Sequence, residues 1–146
     1  MIRDLRPEDR AAFLQAVDTF YHSEAVLHSV PRENFETTFD LCLTQNPYAR
    51  GVAFEVEGQF AGYALLSLSY SNEVGGMVVW LEEAFIHPQY RGHGLGHAFF
   101  RWVEQEYGDK AKRYRLEVTH ANTRAIALYE RLGYEVMDYV QMVKEK

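Results

Sequence analysis

The tightest constraint on this chain is the run Gln89-Tyr90-Arg91-Gly92-His93-Gly94-Leu95-Gly96, set between two segments of different period. Upstream, Met77 to Ile86 is mostly apolar and reads as a strand central in its sheet, stopped by Pro88. Downstream, Leu95, Ala98, Phe99, Trp102, Val103 and Tyr107 step by three and four, the spacing of an amphipathic helix, with Gly108 as its stop. Glycines at 92, 94 and 96 let backbone N–H groups turn inward and let a ligand come close. The helix start adds unpaired N–H groups and the positive end of its dipole. Together these make an anion site suited to phosphate. Arg91 adds a charge and a donor fork.

The rest of the chain frames that unit. A short strand is expected at Ile2 to Leu5. A helix starts at Pro7-Glu8-Asp9 and carries Ala12, Phe13, Ala16, Val17 and Phe20 on one face. A second helix begins near Pro31 and carries Phe35, Phe39 and Cys42. The period then changes to two, giving strands at Val52 to Glu57 and Phe60 to Tyr70, with a tight turn at Gly58-Gln59. After the glycine helix, a strand is expected at Tyr114 to Thr119 and a helix at Asn122 to Leu132, with Asn122 as N-cap. A last strand is expected at Tyr134 to Val143. The order β-α-α-β-β-β-α-β-α-β predicts an α/β fold with a sheet of mixed direction and helices on both faces, as one domain over residues 1–146.

Composition narrows the function. Of the 146 residues 47% are apolar and 25% charged, enough for a real core. The net charge of -6 gives no general attraction to nucleic acid or to an anionic membrane, and it suits a cationic partner. No run approaches the roughly 20 apolar residues of a membrane span. The charged N-terminus has no apolar signal region, and the lone Cys42 allows no internal disulfide. These features point to a reducing cytoplasm. His93 and His97 lack a third ligand at useful spacing, so no metal is expected.

The phosphate motifs differ in detail. A P-loop needs Gly-Lys-Ser/Thr, which is absent, and a dinucleotide fingerprint wants Gly where His97 stands. Gln89-x-x-Gly92-x-Gly94 instead resembles the Gln/Arg-x-x-Gly-x-Gly/Ala signature of the GNAT acyltransferase superfamily. Downstream, Asn122-Thr-Arg-Ala125-Ile-Ala-Leu128-Tyr129-Glu-Arg-Leu-Gly133-Tyr134 is similar to its second cofactor motif. The likeness runs from Met77 to Tyr134. It implies a GNAT-like, mostly antiparallel sheet, acetyl-CoA as cofactor, and an acetyl transfer to an amine. It also implies a homodimer, with Tyr70 and Tyr139 as exposed interface aromatics.

The resemblance carries over residue by residue. The strand end with Phe85 and Ile86 lies along the pantetheine arm. The N–H groups from Arg91 through Gly92, His93, Gly94, Leu95 and Gly96 meet the pyrophosphate. Asn122 contacts the pantetheine or stabilises its path, and Tyr129 stands near the thioester sulfur.

Such a transfer has chemical requirements. An alkylammonium, with a pKa of about 10.4, must lose a proton before it attacks. A thiolate, with a pKa of about 8.5, gains from a proton donor as it leaves. Tyr129, protonated at neutral pH, is the expected donor. Glu82 is the expected base, directly or through water, with Glu83 as the alternative. These two carboxylates hold the Glu-Asp-like positions of polyamine acetyltransferases, which this stretch resembles. Glu83, Tyr21 and Glu24 are the expected substrate-binding residues, in a wall formed by residues 18–36. The expected acceptor is a small cationic amine, such as a polyamine or an amino sugar. A protein lysine or N-terminus, or a purely acyl-CoA-binding module, remain as alternatives.

Overall fold

The computed structural model describes residues 1–146. Strands run at β1 (Ile2–Asp4), β2 (Ala49–Val56), β3 (Gln59–Ser71), β4 (Gly76–Ile86) and β5 (Ala111–Leu116). Helices run at α1 (Arg10–Tyr21), α2 (Arg32–Cys42), α3 (Leu95–Tyr107) and α4 (Thr123–Arg131). Pro7–Asp9 is a single 3-10 turn ahead of α1. The sheet order is β1-β2-β3-β4-β5. The first four strands pair antiparallel and β5 joins β4 parallel, so the expected mixed sheet is present.

Each face of the sheet carries its own core. On one, α1 and α2 bury Phe13, Val17, Phe35 and Phe39 against Ala53, Tyr63 and Phe85. On the other, the i, i+4 stripe Phe99, Val103 and Tyr107 of α3 packs on Val52, Phe54, Leu66, Val79 and Leu81. Each such side chain taken fully out of water contributes about 1.5–3 kcal/mol before entropy is counted.

A β-bulge decides which residues face which core. β3 pairs Leu66 with Leu81 but Leu65 with Glu83, leaving Glu82 as the extra residue. Val79 and Leu81 face α3, and strict alternation would send residue 83 there too. The bulge resets the phase, so Glu83 and Phe85 face α1 and α2. The strands are close here: a Cβ on Gly62 would collide with the Phe85 carbonyl oxygen.

The expected strand at Tyr134 to Val143 does not form, and β5 is the edge of the sheet. The segment is rich in Val, Met and Tyr, but its polar residues Glu135, Asp138 and Gln141 recur every third position rather than alternating, and two of its tyrosines are anchored elsewhere. Tyr134 N–H donates to Tyr129 O at 3.0 Å, and its ring packs on Phe100 at 5.7 Å. The Tyr139 hydroxyl donates to Glu73 at 2.8 Å. Between this segment and β5 lies a cavity of about 590 Å³, lined in part by Tyr114, Leu116, Val136 and Met137. No helix is long and apolar enough to cross a membrane.

Candidate active site

The glycine loop has the backbone an anion site needs. Gly92 and Gly94 have φ of 80° and 78°, a region closed to most side chains. A Cβ on Gly92, Gly94 or Gly96 would meet nothing within 4 Å, so the space in front of the loop is open. No side chain caps α3. None of the N–H groups from Gly92 to His97 donates a hydrogen bond within the chain; Ala98 N–H, to Gly94 O at 2.9 Å, is the first to do so. A row of free donors at the positive end of a three-turn helix is suited to a pyrophosphate.

Two details differ from expectation. The free donors start at Gly92, because Arg91 N–H already donates to Pro88 O at 3.2 Å. The Arg91 side chain turns back from the loop: its Nε donates to Ile86 O at 2.9 Å, and its guanidinium lies 5.8 Å from the Phe85 ring centre. His93 is exposed on the loop, and Leu95 is half-buried on the α3 core.

Next to the loop the sheet splays. β5 pairs with β4 only as far as Leu116 opposite Leu81, while β4 continues to Ile86. Backbone groups of Glu82 to Ile86 on that side have no strand partner. An extended amide chain such as pantetheine could pair there as a short added strand.

The bulge gives the two carboxylates different surroundings. Glu82 is exposed and accepts from the Ser67 hydroxyl at 2.5 Å. Glu83 is half-buried under α1 and α2 and accepts from two phenols, Tyr21 and Tyr63, each at 2.8 Å and on opposite oxygens. Burial pushes the Glu83 carboxyl above its ordinary value, the two phenol hydrogen bonds oppose that, and the Glu82 charge adds to it. Both phenols are themselves pushed up, first by burial and then by the Glu83 charge, so they stay donors.

On the far side, Asn122 caps α4 as expected, its Oδ1 accepting from Ala125 N–H at 3.2 Å. Tyr129 is half-buried against Phe100, and burial raises its hydroxyl, so it too stays protonated at neutral pH. Tyr129 and His120 line the 590 Å³ cavity, which no residue of β4 or of the glycine loop borders. That cavity belongs to the edge of β5, not to the loop.

Of the expected acceptor residues, Tyr21 and Glu83 are brought into direct contact. Glu24 is exposed, outside that cluster. Tyr63, fully buried at 0% exposure, was not expected from the sequence. Only the bulge at Glu82 makes Tyr63, opposite Phe85, the diagonal neighbour of Glu83. Without the bulge the pairing cannot be read.

Comparison with known proteins gives a consistent result. The family model described as acetyltransferase (GNAT) family matches residues 11–134. The chain is 33% identical over 92 residues to spermine/spermidine N(1)-acetyltransferase of Bacillus subtilis (strain 168), which is 60% of this chain and about 60% of that relative's length. It is 28% identical over 141 residues to thialysine N-epsilon-acetyltransferase of Mus musculus, covering 90% and 82% of the two chains. In structure it resembles aminoglycoside N-acetyltransferase AAC(6')-Iy, solved in complex with the bisubstrate analog CoA-S-monomethyl-acetylneamine. That TM-score is 0.80 over 100% of this chain and 97% of the other, at 17% identity, a likeness of fold.

Proposed function

The chain is a member of the acetyltransferase (GNAT) family, and from that premise we propose that it is an N-acetyltransferase acting on a primary amine of a small, cationic acceptor. The observation that carries the reading is the row of free N–H groups from Gly92 to His97 beside the splayed end of β4. It fits both the pyrophosphate and the amide arm of coenzyme A. Acetyl-CoA, the cosubstrate of this family, supplies an acetyl group activated as a thioester.

The chain's own residues then have these roles. The N–H groups of Gly92 to His97 bind the phosphates, and Ile86 pairs with the arm through its backbone on the open side of β4, with Phe85, whose N–H and C=O face β3, beside it. Asn122 Nδ2 is free to reach the arm while Oδ1 caps the helix. Glu82, exposed to water, takes the ammonium proton directly or through a water molecule. Glu83 holds positive charge on the acceptor. The developing oxyanion meets a backbone N–H at the open end of β4. Tyr129 Oη gives its proton to the departing thiolate. The acidic balance of the chain and the polyamine-type relative support a cationic acceptor. We extend the proposal to a cytoplasmic homodimer, supported by the lone cysteine and by Tyr70 and Tyr139, 74% and 65% exposed.

The test is thiol release from acetyl-CoA across a panel of polyamines, amino sugars and peptides. Turnover is expected with small amines and not with peptides. Tyr129→Phe should lower kcat about 100-fold while leaving cofactor affinity in place. Cofactor binding without thiol release on any amine would mark the chain as a binding module and end the transferase reading.

A further inference from the structure

Between α1, α2 and the sheet lies a second cavity, of about 210 Å³. Phe13, Val17 and Tyr21 of α1, Phe35 and Thr38 of α2, and Glu83 form most of its wall. It is not a gap in an ordinary apolar core, because a carboxylate faces it. Glu83 is the only ionisable carboxylate on that wall, and no Lys, Arg or His lines it. Its two oxygens are fixed by Tyr21 and Tyr63, one each, which leaves a further acceptor site on both.

A carboxylate half out of water, with phenols for partners and no cation, is a costly arrangement that a bound positive charge would relieve. The walls suit that charge. Tyr21 and Phe35 stand with ring centres 4.8 Å apart, and Phe13 closes the inner end. Aromatic faces attract an ammonium and also cover a methylene chain. The mouth, at half-buried Thr38 and exposed Asn34, opens to solvent. The space equals roughly seven water volumes, room for an aminoalkyl arm of about five or six heavy atoms.

We propose that this cavity is a subsite for a second, non-reacting ammonium of the acceptor, carried on a short alkyl arm and held by Glu83 within the Phe13, Tyr21 and Phe35 walls. The inference rests on the transferase reading and deepens it: the acceptor is an alkyl diamine or longer polyamine. The bulge makes the division possible. It turns Glu83 inward to the anchored charge and leaves Glu82 outside, beside Ser67, for the amine that reacts. Tyr63, fully buried behind Glu83, is a positioning residue: its ring packs on Phe13 and its hydroxyl donates to the carboxylate alone.

The experiment is calorimetric titration of the whole chain, without acetyl-CoA, using 1,4-diaminobutane, spermidine and n-butylamine. The diamine is expected to bind at least tenfold tighter than the monoamine. Glu83→Gln, isosteric and uncharged, should abolish that preference. Thr38→Leu, which narrows the mouth, should weaken the diamine at least tenfold, and Tyr21→Phe should weaken it less. Thermal melting of each variant separates lost binding from lost fold. In turnover, Glu83→Gln should raise the KM for the diamine with little change in kcat, whereas Glu82→Gln should lower kcat.

Equal binding of diamine and monoamine by the unaltered chain would overturn the inference, as would a preference that survives both Glu83→Gln and Thr38→Leu in folded protein. The two readings fail differently. Amine binding with this preference but no thiol release sinks the transferase and keeps the subsite. Thiol release without the preference sinks the subsite and keeps the transferase.

Discussion

The two halves of the site are built from different material. The proposed cofactor half is mostly backbone: the N–H groups of Gly92 to His97 and the unpaired stretch of β4, with the side chains of Asn122 and Tyr129 added from α4. The proposed acceptor half is side chain: Glu82, Glu83, Tyr21 and Tyr63. A backbone site needs the right conformation, and glycine secures that locally. A side-chain site needs distant elements to meet, here α1, β3 and β4. Substitutions should therefore separate the halves. Loop changes should act on the cofactor alone, and changes beneath α1 should act on the acceptor alone.

The largest effect should come from a residue that supports the acceptor half without touching it. Asp9 is buried at 6% exposure and accepts from Arg3 at 2.8 and 3.1 Å and from Arg6 N–H at 2.8 Å. This ties the start of α1 to β1. Removing one partner of a buried pair costs about 3–5 kcal/mol, and Asp9→Ala should lower stability by about 3 kcal/mol in urea unfolding. Burial alone would push this carboxyl up, but hydrogen bonding and charge from Arg3, with the Arg6 N–H, hold it below its ordinary 3.8. A lowered carboxyl gives stability that is full above the unfolded value and is lost as pH falls through the lower folded value. In acid titration Asp9→Asn should lack that loss. Equal weakening of cofactor and amine binding in folded Asp9→Asn would show that the halves are not separable.

A smaller effect is expected in the loop. Gly94 sits at φ 78°, where an L side chain costs about 1–2 kcal/mol. Nothing within 4 Å would restrain a new Cβ, so the loop relaxes rather than clashes. In Gly94→Ala the N–H row is expected to lose its alignment, and the loss falls on cofactor affinity, roughly tenfold. Titration with coenzyme A reads this, and amine affinity should not move. Loss of amine affinity as well would tie the loop to the acceptor site.

The same division explains what could be read from the sequence. Glycine spacing, the strand before it and the amphipathic helix after it are local, so the loop and the elements around it were legible. The Asn122 cap was legible for the same reason. The bulge was not, because it is a mismatch between two strands, and Leu65, Leu66, Leu81 and Glu83 give no local sign of it. Without it, the inward turn of Glu83 and the part played by Tyr63 were hidden. The expected strand at Tyr134 to Val143 failed for a related reason. Its β-prone composition is local, but Tyr134 and Tyr139 are bound to Phe100 and Glu73, contacts that lie across the fold.

The finest test concerns how the acceptor half holds its charge. The groups acting on Glu83 are Tyr21 from α1, Tyr63 from β3 and Glu82 on its own strand. Burial and Glu82 raise its carboxyl above 4.5, and the phenols pull it back. A cation binds only the ionised form, so amine affinity should fall as pH drops through this raised value. Tyr63→Phe removes a donor that stabilises the charge, and the carboxyl should rise further. The acid limb of the amine affinity, and of kcat/KM for the diamine, should therefore shift to higher pH, by up to about one unit for a single hydrogen bond worth roughly 1 kcal/mol. The cofactor titration should keep its own pH dependence, since no atom of Tyr63 is among the Gly92 to His97 donors. A limb that stays fixed in Tyr63→Phe, or moves down, would show that another group sets the acceptor's charge, and the contrast between a backbone half and a side-chain half would then need a different carboxylate.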